Sequence, residues 1–384
     1  MRTVFFIPPL RSLSGGLAAI YELAEILIEQ DLPVAVTCPV ASTPGFSALD
    51  ARAERLDWAR VSAGEDISPH DIWCIPEGWP NAIAPGVKRG AGVLVYVQNW
   101  IHLLNTLPQG VRWKQLPVRY LAVSAPVDWF MREVMELKSE AILPPAIADF
   151  FFDAGTNDGS TGVAKGHPGD CSETAGKPAC GSRGADSGKP CLDGARASST
   201  VRIAWMPRKN KALASQMFEV ALNALAADGL DKSVELVEIA GKSRAEVAGI
   251  LAGADIFLST GFPEGFALPP LEAMACGAVP VGFSGQGGFE YMRNPQLPGL
   301  YTPPFPLEPK EWGANGLFVS DGDVMNGGLA LARAVKMRLD GNPQWDELRR
   351  EGRKAARAYG LKERSTRVAK IWPELIELFQ NQSR

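Results

Sequence analysis

Two glutamates, Glu264 and Glu272, are separated by seven residues in the run STGFPEGFALPPLEAMACG that spans Ser259–Gly277. An ionised carboxylate only accepts hydrogen bonds, so it suits a neighbour rich in O–H donors: one carboxylate for sugar hydroxyls, the other for the paired hydroxyls of a ribose. The apolar run DIFLS, Asp255–Ser259, precedes them as a strand, and the Pro269–Pro270 pair opens a helix after them, as proline at a helix start does. Glu264 is then expected on a loop beyond the strand's carboxyl end. Glu272 is expected in the first helical turn, where free N–H groups favour anions. Taken singly, Glu272 reads equally well as a carboxylate complementing the helix dipole, and Glu264 as a solvated loop residue. Arg208 and Lys209 follow another apolar run in WMPRKNK. Cations at a strand end can neutralise charge developing on a departing phosphate; a solvated basic turn is the competing reading. Gln98, Asn99 and His102 follow the strand-like VLVYV as polar groups on a second strand end, the acceptor side, with a structural role for His102 expected ahead of a catalytic one. Asp321 and Asp323 form a D-x-D pair.

These residues need a scaffold of alternating strands and helices. Strands are expected at Thr3–Ile7, Pro33–Cys38, Asp71–Ile75, Gly92–Val97, Tyr120–Ser124 and Ala141–Pro144, with helices at Leu17–Glu29 and Pro126–Leu137. From Val201 the alternation restarts: strands at Val201–Trp205, Val234–Ala240, Asp255–Ser259, Ala278–Phe283 and Gly316–Val319. Helices are expected at Ala212–Ala227, Ser243–Leu251, Gly328–Leu339, Trp345–Tyr359 and Leu361–Phe379. Short β-branched and aromatic runs separated by helices imply parallel sheets buried on both faces. In such sheets ligands lie beyond the carboxyl ends of the strands. Residues 153–200 have no aromatic side chain and are dominated by Gly, Ser, Asp, Ala and Lys. Such a segment cannot bury enough apolar surface to offset its ordering entropy and is expected to be a disordered insertion.

The run EGFALPPLEAMACGAVPV, Glu264–Val281, resembles the donor-site signature of retaining glycosyltransferases of family 4, with the family's E-x7-E spacing. The similarity continues through Gly287, Gly288 and Glu290 and into Asn315–Asp323. It implies an α/β protein of GT-B fold: two Rossmann-like domains facing a central cleft, with the final helix crossing back. The N-terminal acceptor domain would be 1–150, the donor domain 201–360 and the crossover helix 361–384. The resemblance also implies roles. Glu264 would contact the donor sugar and Glu272 the ribose. Backbone amides around Gly265, Phe266, Ala267 and Leu268 would meet the diphosphate or sugar. Gly15–Gly16 is similar to the family's glycine-rich loop, and Pro144–Phe151 to its proline-rich hinge. Two positions depart from the pattern. The commoner arginine position falls on Ala204, so Arg208 stands in for it, and Ala267 occupies a place where many relatives have glycine, a residue that tolerates positive φ.

Composition agrees with an enzyme of this kind and sets limits. A chain of 384 residues favours two domains. A net charge of −4 carries no basic excess of the sort nucleic-acid binders show. The six cysteines include Cys38, Cys74 and Cys276 in apolar surroundings, while Cys171, Cys180 and Cys191 fit no zinc spacing. The N-terminal apolar run is broken by Pro8 and Pro9 and followed by an acidic helix, unlike a secretory leader, and no run of about 18 apolar residues is present. The expectation is a cytoplasmic enzyme, with Arg112–Tyr120 as a basic, aromatic stretch for peripheral contact with the inner face of a membrane or as a plain solvated loop. The expected reaction is a retaining transfer from a nucleotide-sugar to an acceptor hydroxyl, a glycan or a lipid-linked one, in cell-surface polysaccharide or glycan synthesis. No metal or other cofactor is expected. An epimerase or a glycosyl phosphorylase on the same fold, and a non-catalytic sugar-nucleotide-binding module, are the alternatives.

Overall fold

A computed structural model describes residues 1–156 and 200–382. The first half runs β1 (Arg2–Phe6), α1 (Gly15–Glu29), β2 (Val34–Thr37), β3 (Glu54–Leu56), α2 (Trp58–Ala63), β4 (Asp71–Pro76) and α3 (Ile83–Arg89). It continues with β5 (Gly92–Val97), α4 (His102–Asn105), β6 (Arg119–Ala122), α5 (Ala125–Met135), β7 (Ser139–Ile142) and α6 (Asp149–Thr156). The second half holds β8 (Val201–Trp205), α7 (Lys211–Ala226), β9 (Val234–Glu238), α8 (Arg244–Ala252), β10 (Ile256–Ser259) and α9 (Leu268–Cys276). Then come β11 (Val279–Phe283), β12 (Leu317–Val319), α10 (Val324–Leu339), α11 (Pro343–Arg357) and α12 (Leu361–Gln382).

Among the described residues these form two parallel sheets, ordered β3-β2-β1-β4-β5-β6-β7 and β12-β11-β10-β8-β9. The central strands are buried along nearly their whole length, as β1 and β4 show, which is why they read as continuous apolar runs. The order matters for function. In the first sheet the chain leaves β1 toward β2 and β3, then returns to lay β4 on the other side of β1. In the second it leaves β8 toward β9 and returns to lay β10 on the other side of β8. Each reversal opens a crevice at the carboxyl ends of the two strands flanking it, the place where open α/β sheets bind ligands. Lys209 and Glu264 follow β8 and β10; Gly15–Gly16 and Glu77 follow β1 and β4.

Two stretches of chain cross between the sheets. The first passes through Ile147, whose N–H donates to the Tyr359 carbonyl at 2.8 Å, and Ile147 bridges Gly360 in parallel. The helix α6 that follows packs on α8 and α9, with Gly155 so close that a methyl there would lie 2.7 Å from the Ala275 carbonyl oxygen. This helix carries regular structure to Thr156, beyond residue 153 where the insertion was expected to begin; the rest of that expected insertion, 157–199, lies outside the described residues. The second crossing leads into α12, which lies on the first domain. Trp372, fully buried, donates its indole N–H to Thr3 Oγ1 at 3.0 Å, and buried Arg364 pairs with Glu22 and donates to the Ala19 carbonyl at 2.9 Å.

Candidate active site

The loop between β10 and α9 is held by close packing rather than by side-chain bulk. Glu264 forms an isolated parallel bridge with Gln286: its N–H donates to Gly285 O at 3.0 Å, and its own carbonyl accepts from Gly287 N at 3.1 Å. Gly261 and Gly285 flank its side chain so tightly that a methyl on either would meet it within 2.8 Å. The carboxylate is thereby fixed, and its Oε1 takes the Lys209 ammonium at 2.6 Å. Lys209 also donates to the Pro263 carbonyl at 3.4 Å. The two residues expected to carry the chemistry are thus in contact at the crevice between β8 and β10. Arg208, beside them in sequence, is exposed and has no ion-pair partner among the described residues.

Three further sequence-level expectations change in detail. Glu272 lies in the second turn of α9, not the first, because the helix already starts at Leu268. Burial pushes its carboxyl above the ordinary range, opposed by Arg244, whose guanidinium lies 3.0 Å from Oε1. That arginine was not legible as a site residue: it opens α8, and its cation also covers the rings of Phe150 and Phe151 at 5.5 Å. Arg244 takes Oε1 of Glu272, and 11% of the side chain stays exposed, so a small part of this buried residue remains accessible. Gly15 and Gly16 are the first residues of α1 rather than a loop before it, with Ser14 capping the helix. Ala267 does adopt the conformation glycine would favour, with φ +59°; its carbonyl is clamped by the Tyr291 hydroxyl at 2.5 Å.

The anion-binding capacity of α9 is narrower than the motif implies. Of its first four residues, Pro269 and Pro270 carry no N–H, and the Leu271 amide meets the Tyr291 hydroxyl. The Leu268 N–H is the remaining first-turn donor, next to the loop amides of Gly265, Phe266 and Ala267. Opposite them lies the start of α1, where Gly15 approaches so closely that a methyl on it would sit 3.3 Å from Leu268 Cδ1.

The first domain meets this loop directly. Gly265 abuts the Gln98–Asn99 backbone, where a methyl would lie 1.9 Å from Gln98 O. Asn99 Nδ2 donates to Pro263 O at 3.1 Å, and Ser124 Oγ donates to Gly265 O at 2.6 Å. Gln98 Nε2 donates to Gly16 O at 2.9 Å, tying the two predicted N-terminal elements together. His102, at the start of α4, holds Nδ1 2.8 Å from Glu77 Oε1. Glu77 itself was missed by the sequence reading. It is almost fully buried and also accepts the amide N–H groups of Gln98 and Asn99, each at 2.9 Å. Its position directly after β4, at the reversal of the first sheet, is the signal that would have found it.

The two aspartates of the D-x-D pair make separate contacts within the second domain. Asp323 caps α10, and Asp321 accepts the Gly285 N–H at 2.9 Å, its pKa pushed up to about 6 by burial. Among the described residues no cluster of three or more His, Cys, Asp or Glu side chains could hold a metal ion. Cys38, Cys74 and Cys276 are buried free thiols; Cys171, Cys180 and Cys191 lie outside the described residues. In the Arg112–Tyr120 stretch, Trp113 and Tyr120 are buried, their polar atoms bonded to Leu103 O and Trp113 O. Lys114 pairs with Glu136 and Arg119 with Glu140. The aromatic anchors expected there for a membrane surface therefore face the core. No described helix is long and apolar enough to cross a membrane.

Two parallel-sheet domains with a cleft between their switch points, and a final helix returning to the first domain, define the GT-B fold of glycosyltransferases. Within it, residues 213–322, which include Glu264 and Glu272, match the family model described as "Glycosyl transferases group 1". Among solved structures the chain is similar to a glycosyltransferase from Rickettsia africae, at 12% identity and a TM-score of 0.63, covering 98% of both chains. It is also similar to S. aureus TarM in complex with fondaparinux, alpha-GlcNAc-glycerol and UDP, at 8% identity and a TM-score of 0.58, covering 98% and 99%. A third is the catalytic domain of starch synthase IV from Arabidopsis thaliana bound to ADP and acarbose, at 12% identity and a TM-score of 0.55, covering 98% and 99%. No curated protein matches the chain by sequence.

Proposed function

We propose that the protein is a retaining glycosyltransferase that moves a hexosyl group from a nucleoside diphosphate sugar to an acceptor hydroxyl, without a metal, in glycan or cell-surface polysaccharide synthesis. The observation that carries this reading is the Lys209–Glu264 contact at the second sheet's switch point, facing Gln98, Asn99 and His102 across the cleft. A cation and a fixed carboxylate side by side suit a donor with an anionic half and a polyhydroxyl half. The diphosphate would lie against Lys209, Arg208 and the Gly265–Leu268 amides, the sugar hydroxyls on Glu264 and the ribose on Glu272. With two prolines in the first turn of α9, more of the phosphate charge falls to the side-chain cations than a helix terminus alone would take. That gives exposed Arg208 a role for which its present surroundings hold no competitor. The acceptor would approach from the first domain, and closure would align its hydroxyl with the anomeric carbon while excluding water.

The matched relatives include proteins bound to UDP and to ADP, so a panel of UDP-, ADP-, GDP- and dTDP-sugars is the first experiment. One donor is expected to raise the melting temperature and to be slowly hydrolysed, with Lys209→Ala weakening both. No stabilisation by any donor, with a control enzyme responding normally, would sink the reading. Stabilisation without turnover would favour the non-catalytic module. The anomeric configuration of the product, read by NMR, tests retention.

A further inference from the structure

We propose that Glu77 and His102 form an acceptor-side dyad, in which buried Glu77 is a positioning residue that fixes the His102 ring so that Nε2 takes the hydrogen bond of the acceptor hydroxyl. This rests on the transfer reading above.

The geometry supports it at each atom. Glu77 stands at the carboxyl end of β4, on the first sheet's crevice, and its two oxygens serve three donors. Oε2 accepts the Gln98 N–H. Oε1 accepts the Asn99 N–H and the His102 Nδ1–H. A carboxylate carries about four lone-pair sites and can satisfy all three at once, whereas an amide has one accepting oxygen. Bonding through Nδ1 assigns the proton of the neutral ring to that nitrogen and leaves Nε2 as an acceptor. The His102 side chain is half exposed while its partner is sealed, so the ring is held from behind and open in front. The charged groups facing it are Glu77 on its own domain and, across the cleft, Lys209, itself paired with Glu264. An accepting nitrogen on that wall suits a hydroxyl and not a phosphate oxygen, which has no proton to give. The same carboxylate braces the Gln98–Asn99 backbone that touches the donor loop, so one residue sets both the acceptor's partner and the wall it approaches along.

The hydrogen bond that His102 donates to Glu77 raises the pKa of the ring, against smaller opposing effects of burial and of Lys209. Protonation removes the accepting lone pair, so transfer to the acceptor falls as pH drops through the ring's pKa. Replacing Glu77 by glutamine lowers that pKa and moves the acid limb to lower pH.

The test reads the ring and the reaction separately. By NMR, the His102 resonance, assigned among the three histidines by its loss in His102→Gln, is expected to titrate at higher pH in the wild type than in Glu77→Gln. The acid limb of kcat/KM for the acceptor is expected at the wild-type midpoint. It should move down in pH in Glu77→Gln, with a plateau loss of at least about tenfold, in the range of general positioning effects, and vanish in His102→Gln. Donor-induced stabilisation should remain in both variants. A plateau loss with an unmoved limb would make Glu77 a loop brace alone and overturn the dyad. If Glu77→Gln does not fold, His102→Gln decides, since persistence of the acid limb there refutes the proposal. Failure of every donor to react would defeat the transfer reading instead, while the NMR comparison still reports on the Glu77–His102 contact.

Discussion

Replacing Gly265 by alanine should disable the protein through one methyl group. The added carbon would lie 1.9 Å from the Gln98 oxygen and 2.7 Å from its carbonyl carbon, both backbone atoms of the opposite domain. Neither can rotate away, so the two walls must part by about 1.5 Å, and a misplacement of about 1 Å near a reaction centre costs on the order of 100-fold. The contact also carries two interdomain hydrogen bonds, Asn99 to Pro263 and Ser124 to Gly265. Losing both at a net ~0.5–1.5 kcal/mol each disfavours the apposed state by about 1–3 kcal/mol, a drop of roughly 5- to 150-fold in its population. The first figure falls within the second range, so a loss of roughly one to two orders of magnitude is expected. Gly265 is the one donor-side residue altered, while Lys209, Glu264 and Glu272 keep their contacts, so donor-induced stabilisation should change less than the transfer rate. Steady-state kinetics with calorimetric donor binding reads both. Wild-type transfer by Gly265→Ala would refute the claim that this contact belongs to the working conformation.

Ala267 holds φ at +59°, where a β-branched residue is strongly disfavoured. Ala267→Val should lose about 2–3 kcal/mol in denaturant unfolding, and Ala267→Gly should stay within about 1 kcal/mol of wild type. Glu272 has a raised carboxyl pKa because it is buried, so its contribution to stability is full in acid and is lost as pH rises through the folded-state value. Glu272→Gln should therefore raise the melting temperature at neutral pH, leave it little changed in acid, and weaken donor binding; a lower melting temperature at pH 7 would contradict this. Trp372→Ala removes a fully buried indole from between α12 and β1 and should cost about 3–5 kcal/mol, measured by chemical denaturation.

Elements with long apolar runs were legible in the sequence. Gly92–Val97 and Val201–Trp205 were read with the bounds the structure gives them, because buried parallel strands have no polar face to blur the signal. The strand Glu54–Leu56 was not read: it is three residues long, two of them charged, and it is recognised only by its pairing with β2. The site divides the same way. Glu264 and Lys209 stand at the ends of obvious strands, and their meeting follows from β8 and β10 being neighbours. Glu77 sits between prolines in a stretch that looks like a turn, and Arg244 reaches Glu272 from another helix. Contacts between elements distant in sequence leave no local trace. The buried Trp113 and Tyr120 show the converse, since aromatic and basic residues side by side do not reveal which of them face the solvent.

The bridge between Ile147 and Gly360 has a mechanical consequence. A body joined to another by two separated tethers can twist, slide or yaw only as far as both allow. Here the outgoing and returning strands are stitched side by side, by the Ile147 N–H to the Tyr359 carbonyl. Tethers tied at one point would favour a swing about that line over a slide or a twist. Any such swing would carry the Gly265 wall past Gln98 along one arc, so the bridge would bear on the register at which the two halves meet.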